Sequence, residues 1–276
     1  MGEISIAPKF NIHETYKKVR ILNPYRNSGV PVSGIDPDYQ AKLDYAAGNF
    51  IPVPVGADSD FYNQRIIDFK ANGGFDISDV VLDFEGNADP AFKLICNKRR
   101  VECLPYGGLT WSTDGVEGNG TNGYIDSLFI PTADGVNYTK NNAGFIWTAK
   151  KGIKNSSVIF GAQTGAGGGG IVRFGPTSNG GNVSLNSGAT ANTNNFTQIG
   201  VNSFNRLDVS NLIVKGGSDY TFVSTSSSEP TNSMYILAGN NGAGGNAPFA
   251  HSTEKLGFFA IGGSYAAVHD AVLTGL

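Results

Sequence analysis

From about residue 109 onward, short apolar runs alternate with turns that are rich in glycine, asparagine and serine. Runs of this length, separated at similar intervals by turn residues, are typical of strands in a β-sandwich or barrel. Together they predict roughly ten to thirteen strands, enough for two packed sheets. The alternation Tyr124–Ile130 is predicted to be a half-buried strand. The clearest apolar runs are Ala143–Ala149, Ser157–Ala162, Ile171–Phe174, Val183–Leu185, Phe196–Val201, Leu207–Val214, Tyr220–Thr225, Met234–Ala238 and Gly257–Ile261.

Charge is concentrated in the first half of the chain. Residues 151–276 carry 11 charged side chains, against 32 in residues 1–150. The net charge is −3 and only 16% of the residues are charged. This balance argues against a polyanionic partner, so nucleic-acid binding is not expected.

The first region, residues 1–58, contains six of the twelve prolines. Proline removes a backbone donor and disfavours helix at the preceding residue, so most of this region is predicted to be an extended arm. A short helix is predicted over residues 38–47, after the Asp36-Pro37 turn. The arm either docks on another protein or subunit, or wraps on its own domain.

Residues 59–108 are predicted to form a short mixed segment. Phe61–Ala71 has helical spacing and ends at an Asn-Gly-Gly stop. The stretch 77–84 fits either a helix or a strand, because its β-branched residues permit both. Residues 91–105 are predicted to form a hairpin with a basic tip at 98–100.

The N-terminus has neither the basic nor the apolar region of a signal peptide, and no apolar run is long enough to span a bilayer. Synthesis in the cytoplasm without membrane insertion is therefore expected. The two cysteines, Cys96 and Cys103, flank the predicted hairpin tip. A bridge between them is possible under oxidation, but a pair of buried free thiols is favoured without a secretion signal.

Four stretches resemble the concanavalin A-like (laminin-G-like) jelly-roll domains of bacteriophage and prophage structural proteins. They are a tryptophan, Trp111; the glycine-rich turn and strand Gly118–Asp126; the segment Asn137–Asn142; and the last strand Gly257–Ser264, with a closing helix predicted over 264–276. The resemblance covers roughly residues 60–276. It implies a mainly β, two-sheet antiparallel jelly-roll sandwich over residues 109–276.

The same resemblance implies a virion structural protein, such as a fibre, spike or decoration protein. Its jelly roll would mediate assembly or attach to host-surface carbohydrate, and residues 1–58 would bind other virion proteins. Such proteins are commonly symmetric, so a homo-oligomer located in the virion is expected.

Glycoside hydrolysis needs two carboxylates on one face, separated by about 5–9.5 Å. Asp83 and Glu85 are the only close acidic pair with strand-like surroundings, and they precede the predicted sandwich. Within residues 109–276, no two acids lie at i and i+2 or i and i+4. The sequence therefore predicts no catalytic residues and a protein that is not an enzyme. The alternatives are a glycan depolymerase using Asp83 or Glu85, and a bacterial carbohydrate-binding module.

Glycan binding requires aromatic faces beside amide or hydroxyl groups. The predicted loops supply both types of side chain, although such aromatics are also used to plug a core. The candidate binding residues are Tyr138, Asn141, Asn142, Phe196, Phe204, Asn205, Asn240 and Phe249.

No cofactor and no metal cluster are predicted, because the three histidines lie far apart in the sequence. Calcium is the one ion that remains conceivable, since it takes oxygen ligands from loops. The candidate ligand sets are Asp114, Glu117 and Asn119, or Asp134 and Asn137.

Overall fold

The computed structural model describes residues 34–151, 158–164, 169–177, 180–187, 191–193, 199–216, 219–242 and 247–272. Most of the predicted arm, residues 1–33, and the candidate Phe196 lie outside these ranges. In the described ranges, no helix combines the length and hydrophobicity that a membrane span requires.

Five helices and seventeen strands make up the described chain. The helices are α1 Pro37–Gly48, α2 Ala57–Ala71, α3 Pro90–Lys93, α4 Pro131–Asp134 and α5 His269–Val272. The strands are β1 Ser78–Asp83, β2 Leu104–Tyr106, β3 Thr110–Ser112, β4 Gly115–Glu117, β5 Tyr124–Asp126, β6 Ala143–Ala149, β7 Phe160–Thr164, β8 Gly169–Thr177, β9 Gly180–Ser187, β10 Ala191–Thr193, β11 Gly200–Arg206, β12 Asn211–Lys215, β13 Tyr220–Val223, β14 Tyr235–Ile236, β15 Gly239–Asn240, β16 Pro248–Phe249 and β17 Lys255–Gly262.

The strands form two sheets. The first sheet has the order β13-β12-β11-β6-β17-β4-β3, with β1 paired to β17. The second sheet has the order β10-β9-β8-β7-β14-β5-β2, with β15 paired to β7 and β16. All pairings are antiparallel except that of β15 with β7. The mainly β, two-sheet sandwich predicted from the sequence is confirmed, and both sheets recruit a strand from before residue 109.

The main core lies between the two sheets. It contains aromatic side chains from both, including Phe145 and Trp147 of the first sheet and Phe160 and Phe174 of the second. Trp147 meets Phe174 edge to face, with ring centroids 4.8 Å apart. Alternation along each strand directs these residues inward and their neighbours outward.

Helices cover the outer face of the first sheet. Ile66 and Phe69 of α2 pack with Ile146 and Phe258 of the sheet, and Val272 of α5 joins the same cluster. This second core explains why all seven residues of β6 are buried, although a strand with one solvated face would alternate.

The described part of residues 1–58 folds back on the domain. Tyr39 and Leu43 of α1 form a third cluster with Tyr62 of α2 and with Phe92 and Ile95. The helix begins at an Asp36 cap, whose carboxylate accepts the N–H of Asp38 at 2.9 Å.

Two strands have bounds that differ from those of the apolar pattern, one at its end and one at its beginning. The strand predicted over Tyr124–Ile130 stops at Asp126, because Leu128 adopts φ 54° and its N–H donates to the Asp126 carboxylate at 2.9 Å. The run Leu207–Val214 begins as a turn, since the Asp208 carboxylate accepts the N–H groups of Ser210 and Asn211. Local side-chain hydrogen bonds of this kind compete with strand pairing.

Three other predicted elements are settled by the structure. The ambiguous stretch 77–84 is a strand, β1, rather than a helix. The hairpin predicted over residues 91–105 is reduced to one antiparallel bridge between Ile95 and Glu102, because the segment begins within helix α3. Cys96 and Cys103 are buried free thiols, the state that the sequence favoured. The closing helix begins at His269, later than predicted, and residues 273–276 lie outside the described ranges.

Candidate functional site

Three tyrosines stack on the outer face of the second sheet. Tyr106, Tyr124 and Tyr235 come from the adjacent strands β2, β5 and β14, and we call them the tyrosine ladder. Ile125 and Ile236 alternate with them and are buried in the core between the sheets. Because successive side chains point to opposite faces of a strand, the tyrosines face outward.

The ladder runs from solvent into the body of the domain. The rings of Tyr106 and Tyr124 stack 4.7 Å apart with planes 11° apart, and those of Tyr124 and Tyr235 stack 4.7 Å apart with planes 30° apart. Tyr106 is 41% exposed, whereas Tyr235 is 3% exposed. Burial raises the pKa of Tyr124 and Tyr235, so the hydroxyls stay neutral and can both donate and accept.

Two titratable side chains border the ladder. The His251 ring lies 5.9 Å from Tyr124, and burial lowers the pKa of this histidine, which favours its neutral form. The Nε2 atom of His251 is buried and has no hydrogen-bond partner. Asp126 pairs in register with Tyr235, and burial raises the pKa of its carboxyl group.

One glycine lets a phenylalanine lie close to the second sheet. Gly161 of β7 pairs with Tyr235 on one side and with Arg173 on the other. A Cβ on Gly239 would lie 2.5 Å from the Phe249 ring, so that ring rests directly on the glycine. The Arg173 guanidinium carbon lies 5.5 Å from the Phe249 ring centroid. Phe249 and the Arg173 cation thus lie together on the second sheet, and the strand of Arg173 lies two strands from that of Tyr235.

Four of the residues predicted to bind glycan serve the fold instead. Tyr138 is buried and its hydroxyl donates to Asn186 at 2.6 Å. Phe204 lies in the core, and the Asn205 amide oxygen accepts the Tyr265 N–H at 2.7 Å. Asn240 is buried and its amide donates to the Ser233 carbonyl at 3.0 Å. Their burial contradicts the exposure that the prediction requires.

The other predicted residues are divided between two places. Asn141 and Asn142 are exposed at the start of β6, where their amide oxygens accept from Ser226 at 2.5 Å and from the Ser264 N–H at 2.9 Å. They therefore join loops around the first sheet. Phe249 is half-buried and its ring contacts the Arg173 guanidinium, and Phe196 is outside the described residues.

Asp83 and Glu85, the acidic pair considered for glycan hydrolysis, form ion pairs with basic side chains. Arg65 lies 2.7 Å from Asp83 and 3.3 Å from Glu85. Lys150 lies 2.9 Å from Glu85. Both carboxylates thus pair with the Arg65 cation of α2, and Asp83 is buried.

The conceivable calcium ligands are engaged in similar ways. Glu117 pairs with Lys151 at 2.5 Å, and Asp134 accepts the Ile130 N–H at 2.8 Å. The side-chain amide oxygen of Asn119 accepts the three backbone N–H groups of residues 121–123. In the described part of the chain, no group of three or more His, Cys, Asp or Glu side chains is placed to hold a metal ion.

The sequence analysis did not identify most of the tyrosine ladder. The alternation Tyr124-Ile125-Asp126 predicts that Tyr124 and Asp126 lie on one face of a strand, and this is the one local pattern that indicated part of the ladder. The positions of Tyr106 and Tyr235 beside Tyr124 depend on strand pairings between distant segments, which no local pattern encodes.

No family model matches the chain, and no curated protein matches it. Solved structures similar to it include domain 4 of AbnA, an extracellular GH43 arabinanase from Geobacillus stearothermophilus, in complex with arabinotriose. The TM-score is 0.45 at 13% identity, over 71% of this chain and 98% of that one. A Trypanosoma rangeli sialidase mutant with trans-sialidase activity matches with TM-score 0.45 at 10% identity, over 79% of this chain and 38% of that one. This chain therefore spans less than half of the sialidase.

These comparisons correct one prediction. The similar structures are chains of an arabinanase and a sialidase, so the prediction that the protein is not an enzyme is withdrawn. At these TM-scores the likeness assigns no activity to this chain. Neither structure is a virion protein, and the virion role stays a prediction.

Proposed function

We propose that this protein is a carbohydrate-binding β-sandwich domain, and that it binds glycans on the tyrosine ladder. The observation that carries the proposal is the stacked, graded ladder on the outer face of the second sheet. Tyr106 presents 41% of its surface to solvent while its ring stays aligned with Tyr124. An exposed aromatic face held in one orientation is the surface on which an apolar sugar face stacks.

Polar atoms around the ladder suit sugar hydroxyls. The hydroxyl of the exposed Tyr106 can donate and accept hydrogen bonds, and the His251 ring lies 5.9 Å from Tyr124. Small-molecule sites combine such a mainly apolar lining with a few placed polar groups. The ladder is also pre-organised, because each ring is stacked on its neighbour before any ligand arrives, which lowers the entropy cost of binding.

A glycan array followed by calorimetric titration of the best ligand tests this proposal. We expect Tyr106→Ala to weaken binding by about tenfold, which corresponds to ~1.4 kcal/mol. The matched control is Val223→Ala, which removes an 83% exposed side chain from the edge strand of the first sheet. Wild-type affinity in Tyr106→Ala, or equal losses in both variants, would show that the ladder is not the site.

Glycan hydrolysis at the same surface is a second candidate, and Asp126 favours it. A general acid needs a carboxyl group that stays protonated near neutral pH, and burial shifts the pKa of Asp126 in that direction. A reducing-sugar assay on bound glycans separates the two functions. Turnover that Asp126→Asn abolishes without loss of binding would identify an enzyme, and binding without turnover would identify a recognition module.

We further propose that the domain acts in a bacteriophage virion, attaching the particle to host-surface carbohydrate. The support is the resemblance of Gly118–Asp126 and Asn137–Asn142 to the jelly rolls of phage structural proteins. Residues 1–58 would then bind other virion proteins, within a homo-oligomer. Mass spectrometry of purified particles tests this role, and absence of the protein from the virion would refute it while leaving glycan binding intact.

A further inference from the structure

Arg173 lies on the same row of the second sheet as the inner end of the ladder. Gly161 separates it from Tyr235, since both pair in register with that glycine. Two strand spacings therefore separate the backbones of Tyr235 and Arg173, which is roughly 10 Å. Tyr235 itself is 3% exposed, so the ring open to stacking is that of Tyr106 on β2. A ligand that stacks on Tyr106 and reaches Arg173 spans four strand spacings, roughly 19 Å, which requires an oligosaccharide of several sugar units.

Among the described arginines, Arg173 alone has no hydrogen-bond acceptor or ion-pair partner. Arg65, Arg99 and Arg100 each pair with a carboxylate, and Arg206 donates to four backbone carbonyls. The Nε atom of Arg173 is buried and unpartnered, and its described neighbour is the Phe249 ring. A buried donor left without an acceptor is costly, so the site is incomplete as it stands.

The missing group is an anion of a particular shape. A guanidinium presents its donors as a planar fork that matches a carboxylate with two parallel hydrogen bonds. Phe249 holds that fork on the aromatic surface and shields it partly from water, which strengthens the pairing. A ligand that fits both features is an oligosaccharide that stacks one sugar ring on the tyrosine ladder and carries a carboxylate on another.

We propose that the ladder surface selects acidic glycans, with a sugar ring stacked on the tyrosine ladder and a sugar carboxylate paired to Arg173. This inference rests on the proposed function, since it assigns the substrate class of the same surface. It predicts discrimination between carboxylated glycans and neutral glycans of the same backbone.

The experiment uses a panel of carboxylated oligosaccharides, each paired with its carboxyl-reduced neutral form, titrated against the full chain. Carboxyl reduction should weaken binding of the best ligand by at least about tenfold, in the range expected for a charged hydrogen bond. Arg173→Gln should erase that difference, and Arg173→Lys, which keeps the charge and loses the fork, should recover part of it. Lys140→Gln, an exposed charge change in the loop before β6, should leave it intact.

The outcomes separate the inference from the function on which it rests. If neutral and acidic partners bind equally, or Arg173→Gln keeps the preference, the acidic-glycan assignment is wrong while glycan binding stands. If sulfated oligosaccharides bind as tightly as carboxylated ones, the carboxylate assignment is likewise overturned. If no member of the panel or of the array binds, both proposals fail. Unchanged thermal unfolding of Arg173→Gln shows that the variant is folded.

Discussion

The rings of Phe145 and Phe160 stack across the interior of the sandwich, with centroids 4.3 Å apart and planes 17° apart. Phe145 belongs to β6 in the middle of the first sheet, and Phe160 belongs to β7 in the middle of the second. Phe160 also contacts Trp147 and Phe259 of the first sheet. One side chain of the second sheet thus meets three aromatic rings of the first.

Replacing Phe160 with alanine should lower the free energy of unfolding by about 3–5 kcal/mol, because fully buried aromatic truncations leave a cavity that the surrounding rings cannot fill. Urea denaturation measures the loss. Phe160→Leu is the matched control, and the smaller change in side-chain volume should make it less damaging. A loss below about 1 kcal/mol for the alanine variant would mean that the sheets do not pack on this residue.

The two ends of the tyrosine ladder should differ in their effect on stability. Tyr106→Ala removes a side chain that is 41% exposed on an edge strand, so a loss within about 1 kcal/mol is expected. Tyr235→Ala empties a site that is 3% exposed and should cost about 3–5 kcal/mol. Thermal unfolding of both variants measures the difference. Equal losses would contradict the graded burial, and a large loss for Tyr106 would prevent its use as a binding probe.

The sandwich was predictable because its strands are marked locally. Ala143–Ala149 is predicted as an apolar run and found as β6 with the same bounds. Its boundaries are reliable because turns flank it on both sides. The strand from Tyr124 is predicted too long, since the apolar pattern continues through Ile130 while the Asp126 carboxylate already accepts the N–H of Leu128, where the backbone turns.

The candidate site was mostly not predictable, for two physical reasons. Sequence does not reveal which way a loop aromatic points, and Tyr138 turns inward because Asn186 satisfies its hydroxyl within the core. The ladder itself is created by register: Tyr106 meets Tyr124 only because β2 and β5 pair, and Tyr235 joins through β14. Such pairings depend on the whole fold rather than on a local period.

The turn before β5 depends on one asparagine. The Asn119 side-chain oxygen accepts the N–H groups of Thr121, Asn122 and Gly123 at 2.9, 3.0 and 2.9 Å. Asn119→Ala leaves these donors to water and should cost about 1–2 kcal/mol, whereas Asn119→Asp keeps an acceptor and should cost less. Denaturant unfolding compares the two variants. Equal stability of the alanine variant and the wild type would show that solvent satisfies the turn as well as the side chain does.

The burial of His269 leads to a prediction of how the free energy of unfolding depends on pH. The side chain is 2% exposed in α5, and burial, with nearby Lys215, lowers its pKa below the ordinary value of 6.5. The unfolded chain therefore takes up a proton at this residue before the folded chain does. Stability from this group is complete above about pH 6.5 and is lost as the pH falls below it, by at most ~1.4 kcal/mol per pH unit.

Thermal unfolding of the wild type and of His269→Gln between pH 7.5 and 5 measures this effect. The wild-type Tm should fall across the interval, and the variant should show a smaller slope even if its Tm at pH 7.5 is lower. His251→Gln is the companion variant, because burial also lowers the pKa of His251. Asp208 does not interfere, since the hydrogen bond from Asn211 lowers its pKa and moves its titration below this range. Parallel slopes for the wild type and His269→Gln would rule out His269 as the group that sets the dependence.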